Sequence, residues 1–170
     1  MTVTAVHKDP DALSMTITSE FAATPERVWQ LWEDRDQLQR WWGPPTYPAT
    51  FPDYDLRSDA PIAYYMTGPD GQKSHGWWRI LEADKPRSIA LLDGFSNPDG
   101  TPNDALPTMT MRVTIEDAGA GRSRMAIRTE FPNAEAMERV LAMGMEQGMT
   151  LALGQIDEIL GAEPVASAGH

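Results

Sequence analysis

The sequence predicts an α+β fold: a curved antiparallel sheet of six to seven strands wrapped around a long C-terminal helix, with two short helices after strand one. Three observations carry this expectation. Residues 47–132 break at recurrent prolines and glycines into runs of five to ten residues that alternate or are rich in aromatic and branched side chains, the pattern of successive antiparallel strands. Residues 133–160 hold no proline and set Met137, Leu141, Met145, Met149, Leu153, Ile156 and Leu160 at steps of three and four, the pattern of an amphipathic helix. A chain of 170 residues, 41% of them hydrophobic, suffices for one core and is short for two domains and a linker.

The elements follow in order. Residues 1–13 read as an N-terminal extension, 14–161 as a single domain and 162–170 as a flexible tail. Residues 15–21 alternate Met15, Ile17, Ser19 and Phe21 against polar neighbours, a half-buried strand. Thr24 stands as N-cap and Pro25 at the first helical position of a short helix whose apolar stripe is Val28, Trp29, Leu31 and Trp32. A second short helix, from Asp36 to Trp42, is stopped by Gly43-Pro44-Pro45. Strands are expected near 49–57, 60–67, 72–83, 87–95, 106–117 and 122–131. Gly68-Pro69-Asp70-Gly71 is a tight turn, and 117–121 a slightly longer one. The last helix opens on Asn133 as N-cap and closes at Gly161. Its apolar face and that of the sheet bury each other best in a helix-grip arrangement, which often leaves a cavity between the two.

Composition removes several classes of function. Lys and Arg number 14 against 25 Asp and Glu, a net charge of −11 with no basic run, so nucleic acid and anionic lipid are excluded as electrostatic partners. Without cysteine there is no disulfide, thiolate metal site or cysteine nucleophile, and His7, His75 and His170 do not make a His-rich zinc site. No apolar run is long enough to insert in a membrane and the N-terminus lacks a signal-peptide core, so the expected location is cytoplasmic. No phosphate loop, nucleophile elbow, HExxH or EF-hand pattern occurs; no metal and no cofactor is expected.

Several motifs carry a family resemblance. Ile17-Thr18-Ser19-Glu20-Phe21, Thr24-Pro25-Glu26-Arg27-Val28-Trp29 and Leu38-Gln39-Arg40-Trp41-Trp42-Gly43-Pro44 resemble the opening of the SRPBCC, or START-like, superfamily. Within it they match the branch named after the C-terminal domain of the activator of heat shock protein 90 ATPase. Asp55-Leu56-Arg57, Met66 to Gly71, Gly76 with Ile80 to Arg87, and Met145 to Leu160 extend the match over roughly residues 14–161. The resemblance implies the helix-grip fold, with the short helix pair at the entrance of the cavity. It does not imply one function, since the family includes chaperone co-factors, hydrophobic-ligand carriers and cyclase-like enzymes. Two departures stand out: Ser58-Asp59-Ala60 where the family commonly has a glycine pair, and Met149 after Gly148 where it commonly has Trp. If that position faces the cavity, Met leaves more room and a more adaptable wall.

The inward members of each alternation define a candidate ligand-binding wall: Ile62, Tyr64 and Met66; Trp78; Leu91; Met109 and Met111; Ile127. Trp42 joins them from the short helices, and Met145, Met149 and Leu153 from the last helix. Singly, each of these reads as core packing; together, their methionine content suits a surface that adapts to a ligand. No catalytic constellation is recognisable, and the acid or base candidates are Tyr64, Asp93 and His75. Parity turns His75 outward with Trp77 and Arg79. Asp93 shares parity with Ile89 and Leu91, where a carboxylate is costly, so it reads as a strand-end residue in water or as a functional group, and Gly94 favours the strand end.

The leading expectation is therefore a domain that binds a hydrophobic or amphipathic small molecule. The alternatives are a cyclase- or hydrolase-type enzyme acting in the cavity and, from the family name alone, a chaperone ATPase regulator. A chaperone partner is disfavoured, because the additional N-terminal domain of eukaryotic activators does not fit in this length. A homodimer through Trp77 and Tyr65 on the outer face is the other partner considered.

Overall fold

The computed structural model describes residues 3–57 and 59–167. Its strands are β1 (Val3–Asp9), β2 (Ser14–Phe21), β3 (Ala49–Thr50), β4 (Ile62–Thr67), β5 (Lys73–Asp84), β6 (Ser88–Phe95), β7 (Met109–Gly119) and β8 (Arg122–Glu130). The helices are α1 (Pro25–Glu33), α2 (Arg35–Trp41), α3 (Ala134–Ala142), α4 (Met145–Leu153) and α5 (Ile156–Ser167). All strands join one antiparallel sheet in the order β1-β2-β8-β7-β6-β5-β4-β3. The helix pair α1–α2 carries the chain from β2, near one edge, across to β3 at the other. This is the expected helix-grip, with more strands than the sequence suggests.

Local chemistry explains the helix starts. The Thr24 hydroxyl accepts from the Arg27 amide at 3.3 Å, with Pro25 in the first turn. Asp34 ends α1 and caps α2 by accepting from the Asp36 amide, and Asn133 caps α3 through the Ala136 amide at 2.7 Å. The inner sheet face is apolar at every second position, as Met109, Met111, Val113 and Ile115 on β7 and Met125 and Ile127 on β8 show, all buried. Trp29 and Trp32 on α1, Trp41 on α2 and Trp78 on β5 are fully buried. The Trp41 indole donates to the Leu31 carbonyl at 2.9 Å and that of Trp32 to the Met125 sulfur at 3.3 Å, so the helix pair is pinned to itself and to the sheet.

Three elements differ from the sequence expectation. Residues 3–9, within the expected N-terminal extension, form an edge strand on β2; exposed on both faces, β1 has no alternation by which to recognise it. The strand expected over 49–57 is reduced to Ala49–Thr50, because the Phe51 amide donates to the Gln39 side chain at 2.7 Å and Pro52 has no N–H for a ladder. The long last helix is three helices. It breaks after Ala142, where Gly144 takes a φ of +90°, and again at Gly154-Gln155. The expected tail at 162–170 overlaps the end of α5 and otherwise lies outside the described residues.

Candidate functional site

The interface between sheet and C-terminal helices is not filled along its length. At the Trp32 end, aromatic rings occupy it: Trp32 and Trp41 meet edge-on at 4.9 Å between centroids, as do Trp42 and Trp78, and Phe51 stacks on Tyr64 at 5.1 Å. Beyond Trp42 and Tyr64 the packing stops, leaving a half-open cavity of about 340 Å³. The sheet side is formed by Tyr64, Met66, Ser74, Asp93, Phe95 and Met109. The loop after α2 supplies Gly43, Pro44 and Tyr47, and the helices supply Val140, Met143 to Met145, Gly148, Met149 and Ala152.

The helix break makes this shape. Gly144 turns the chain so that α3 and α4 present their adjoining ends, and Gly148, on α4, has nothing within 4 Å of where a Cβ would stand. Gln155, at the second break, donates to the Gly43 carbonyl at 2.7 Å and the Trp41 carbonyl at 3.3 Å, tying the helix junction to the loop at the rim.

Of the residues proposed from sequence as the wall, Trp42, Tyr64, Met66, Met109, Met145 and Met149 line the cavity. Ile62, Trp78, Leu91, Met111, Ile127 and Leu153 do not; they are buried in the core beside it. Parity selects a face of a strand but not a depth along it, and the aromatic cluster fills the far end. The residues missed from sequence are the rim loop and the helix junction. Gly144, Gly148 and Gly154 inside one presumed helix were the available signal, since glycine disfavours a helix interior by about 1 kcal/mol each.

The polar centre of the cavity is Tyr64 with Asp93. Asp93 is not a solvated strand end: β6 continues to Phe95, and Asp93 sits in register between Trp78 and Met109 on the inward face. The Tyr64 hydroxyl donates to Asp93 Oδ1 at 2.9 Å. Gly76, paired with Tyr64 across the strands, makes this possible, because a Cβ there would stand 2.5 Å from the tyrosine ring. Burial pushes the Asp93 carboxyl up to about 7, against the lowering influence of Tyr64 and the nearby Trp78 indole. Burial, and then the Asp93 carboxylate, holds the Tyr64 hydroxyl well above the usual tyrosine range. The indole N–H groups of Trp42 and Trp78 face this pair without reaching hydrogen-bond geometry and have no other partner among the described residues. His75 lies apart from the cavity, on the outer face of β5 with its ring 5.8 Å from that of Tyr65.

Among the described residues no group of three or more His, Asp or Glu is placed to hold a metal ion, and no helix is long and apolar enough to cross a membrane. Arg112 and Arg128 both reach Glu130 at 3.1 Å, a solvated pairing on the outer face of little energetic weight.

A helix-grip sheet packed on C-terminal helices, with short helices at one end of the interface, defines an SRPBCC, or START-like, class of domain. The chain belongs to the Activator of Hsp90 ATPase homolog 1-like family, whose profile matches residues 22–161. Among solved structures it is similar to a protein from Arthrobacter aurescens, 45% identical over 95% of this chain and 93% of that one, with a TM-score of 0.90. Protein Ms6760 from Mycobacterium smegmatis is 44% identical over 93% of this chain and 96% of its own, with a TM-score of 0.85. A Staphylococcus epidermidis protein, 22% identical over 94% and 95% of the two chains, shares the fold with a TM-score of 0.79. No protein of curated function matches the chain.

Proposed function

We propose that this domain binds a hydrophobic or amphipathic small molecule in the cavity between the sheet and α3–α4. The observation that carries the reading is the cavity itself. Its volume, about 340 Å³, lies within the range of small-molecule sites, roughly 300–1,000 Å³. Its wall is built from Met66, Met109, Met143, Met145 and Met149 with Trp42, Tyr47, Tyr64 and Phe95. Thioethers adapt to varied shapes and the aromatic faces supply area, so the wall favours an apolar body of loosely defined outline. Titration of fatty acids, polyketides and aromatic compounds tests it by intrinsic Trp fluorescence and thermal shift. Saturable quenching with a rise in Tm is expected for at least one class; a flat response across the panel would contradict the reading.

One observation favours a second reading. A carboxyl titrating near neutrality and hydrogen-bonded to a tyrosine can give or take a proton from a bound substrate. For an enzyme, Asp93→Asn abolishes turnover while binding persists; for a binding module there is no turnover to lose. The family name speaks of an Hsp90 ATPase, and the result expected for this chain is no effect on the ATPase rate of such a chaperone. A cytoplasmic location and a homodimer through the outer face around Tyr65 and Trp77 belong to the same proposal, and sedimentation equilibrium tests the dimer.

A further inference from the structure

Among the described residues Asp93 is the only ionisable acid or base on the cavity wall apart from the tyrosines, and neither Lys, Arg nor His stands there to meet an anionic ligand. A carboxylate has room for about four hydrogen bonds. Asp93 accepts one among the described residues, from Tyr64, has the Trp78 indole nearby, and stands on the cavity wall with capacity to spare. Around it stand the rings of Trp42, Tyr64 and Phe95, whose faces attract cations. The surrounding field has the same sense, since the whole chain carries a net charge of −11. The start of α4 at the cavity has the opposite sense; its first turn carries Glu146, which is paired with Lys8 at 2.7 Å outside the cavity wall.

We infer that the ligand is a lipophilic amine held as its ammonium ion, with the ammonium against Asp93 and the aromatic rings and the apolar body along the methionines. This rests on the ligand-binding reading and names the chemical class of its occupant. Burial disfavours the charge of the Asp93 carboxyl. An ammonium ion gives that carboxylate the partner it lacks, through charge-assisted hydrogen bonds that outweigh neutral ones. A fatty acid in the same place sets a second carboxylate beside the first, which forces one of them to hold a proton.

The test uses three probes of one chain length: n-decylammonium, n-decanol and n-decanoate, titrated at pH 7.5 into the full-length protein by calorimetry, with Trp fluorescence as a second readout. The expected order is ammonium tightest, by about tenfold over the alcohol, with decanoate weakest. In Asp93→Asn, whose fold is checked by circular dichroism, the ammonium loses its advantage and the alcohol keeps its affinity. Tyr64→Phe retains the preference for the ammonium. An alcohol or carboxylate binding as tightly as the ammonium in the wild-type protein overturns the inference while leaving the cavity reading standing, and this ranking needs no variant. If none of the three binds, the inference fails, and the wider panel of polyketides and aromatic compounds decides the cavity reading separately.

Discussion

Asp93 and Tyr64 meet because β4 and β6 both pair with β5, and because Gly76 on that strand leaves space for the tyrosine ring. The carboxyl holds its proton in the folded chain up to about 7, whereas an unfolded chain releases it near the usual aspartate value, about 4. Between those values the folded state binds more protons than the unfolded one, so this group's contribution to stability falls as pH rises from about 4 to about 7 and is level above. Asp93→Asn removes that decline. Chemical denaturation of both forms should show the variant gaining on the wild type by roughly 2–4 kcal/mol across the window, the lower value where cavity water reaches the carboxyl. A constant difference between the two would contradict the assignment. Gly76→Ala tests the geometry: its Cβ displaces Tyr64, costs about 1–3 kcal/mol and breaks the Tyr64–Asp93 hydrogen bond, all readable from denaturation and from a changed pH profile. At this scale the sequence was half legible. Alternation put Asp93 on the same face as Leu91, but its partner lies 29 residues away and comes only with the register of three strands. The strand itself was expected to reach residue 95, as β6 does, but Gly94 and the long loop after it made Asp93 read as a strand end in water.

The elements that shape the cavity are the broken C-terminal helices. Apolar steps of three and four run through both breaks, so periodicity alone reads as one helix, while the glycines decide where it bends. Gly144 has a φ of +90°, and Gly144→Ala strains the junction between α3 and α4 by at least about 1 kcal/mol, visible as a lowered Tm. Gly148 differs in kind. It lies within α4 with open space beside it, so Gly148→Leu is expected to leave Tm unchanged or raise it, because glycine costs a helix interior about 1 kcal/mol. The leucine side chain then occupies the cavity, and ligand affinity should fall by about tenfold or more, the measure being fluorescence titration beside a thermal melt. A stable Gly148→Leu protein with undiminished binding would place the ligand elsewhere. The short elements β1 and β3 were hard to read for opposite reasons. One is exposed on both faces, and the other yields to a hydrogen bond that the Phe51 amide donates to the Gln39 side chain.

At the scale of the molecule, alternating strands and an apolar C-terminal segment favour a sheet that grips helices, because packing the two apolar faces on each other buries both in one domain. That logic places the core but not the void within it. The void is where the aromatic cluster of Trp32, Trp41, Trp42, Trp78 and Phe51 ends and flexible methionines take over. Methionine therefore reports on the central claim directly. Methyl-labelled methionine NMR separates Met66, Met109, Met143, Met145 and Met149, at the cavity, from Met15, Met111 and Met125, in the packed core. Adding a binding ligand should shift the first group in a saturable way and leave the second unmoved. Equal shifts in both groups, or shifts confined to the core methyls, would contradict the account.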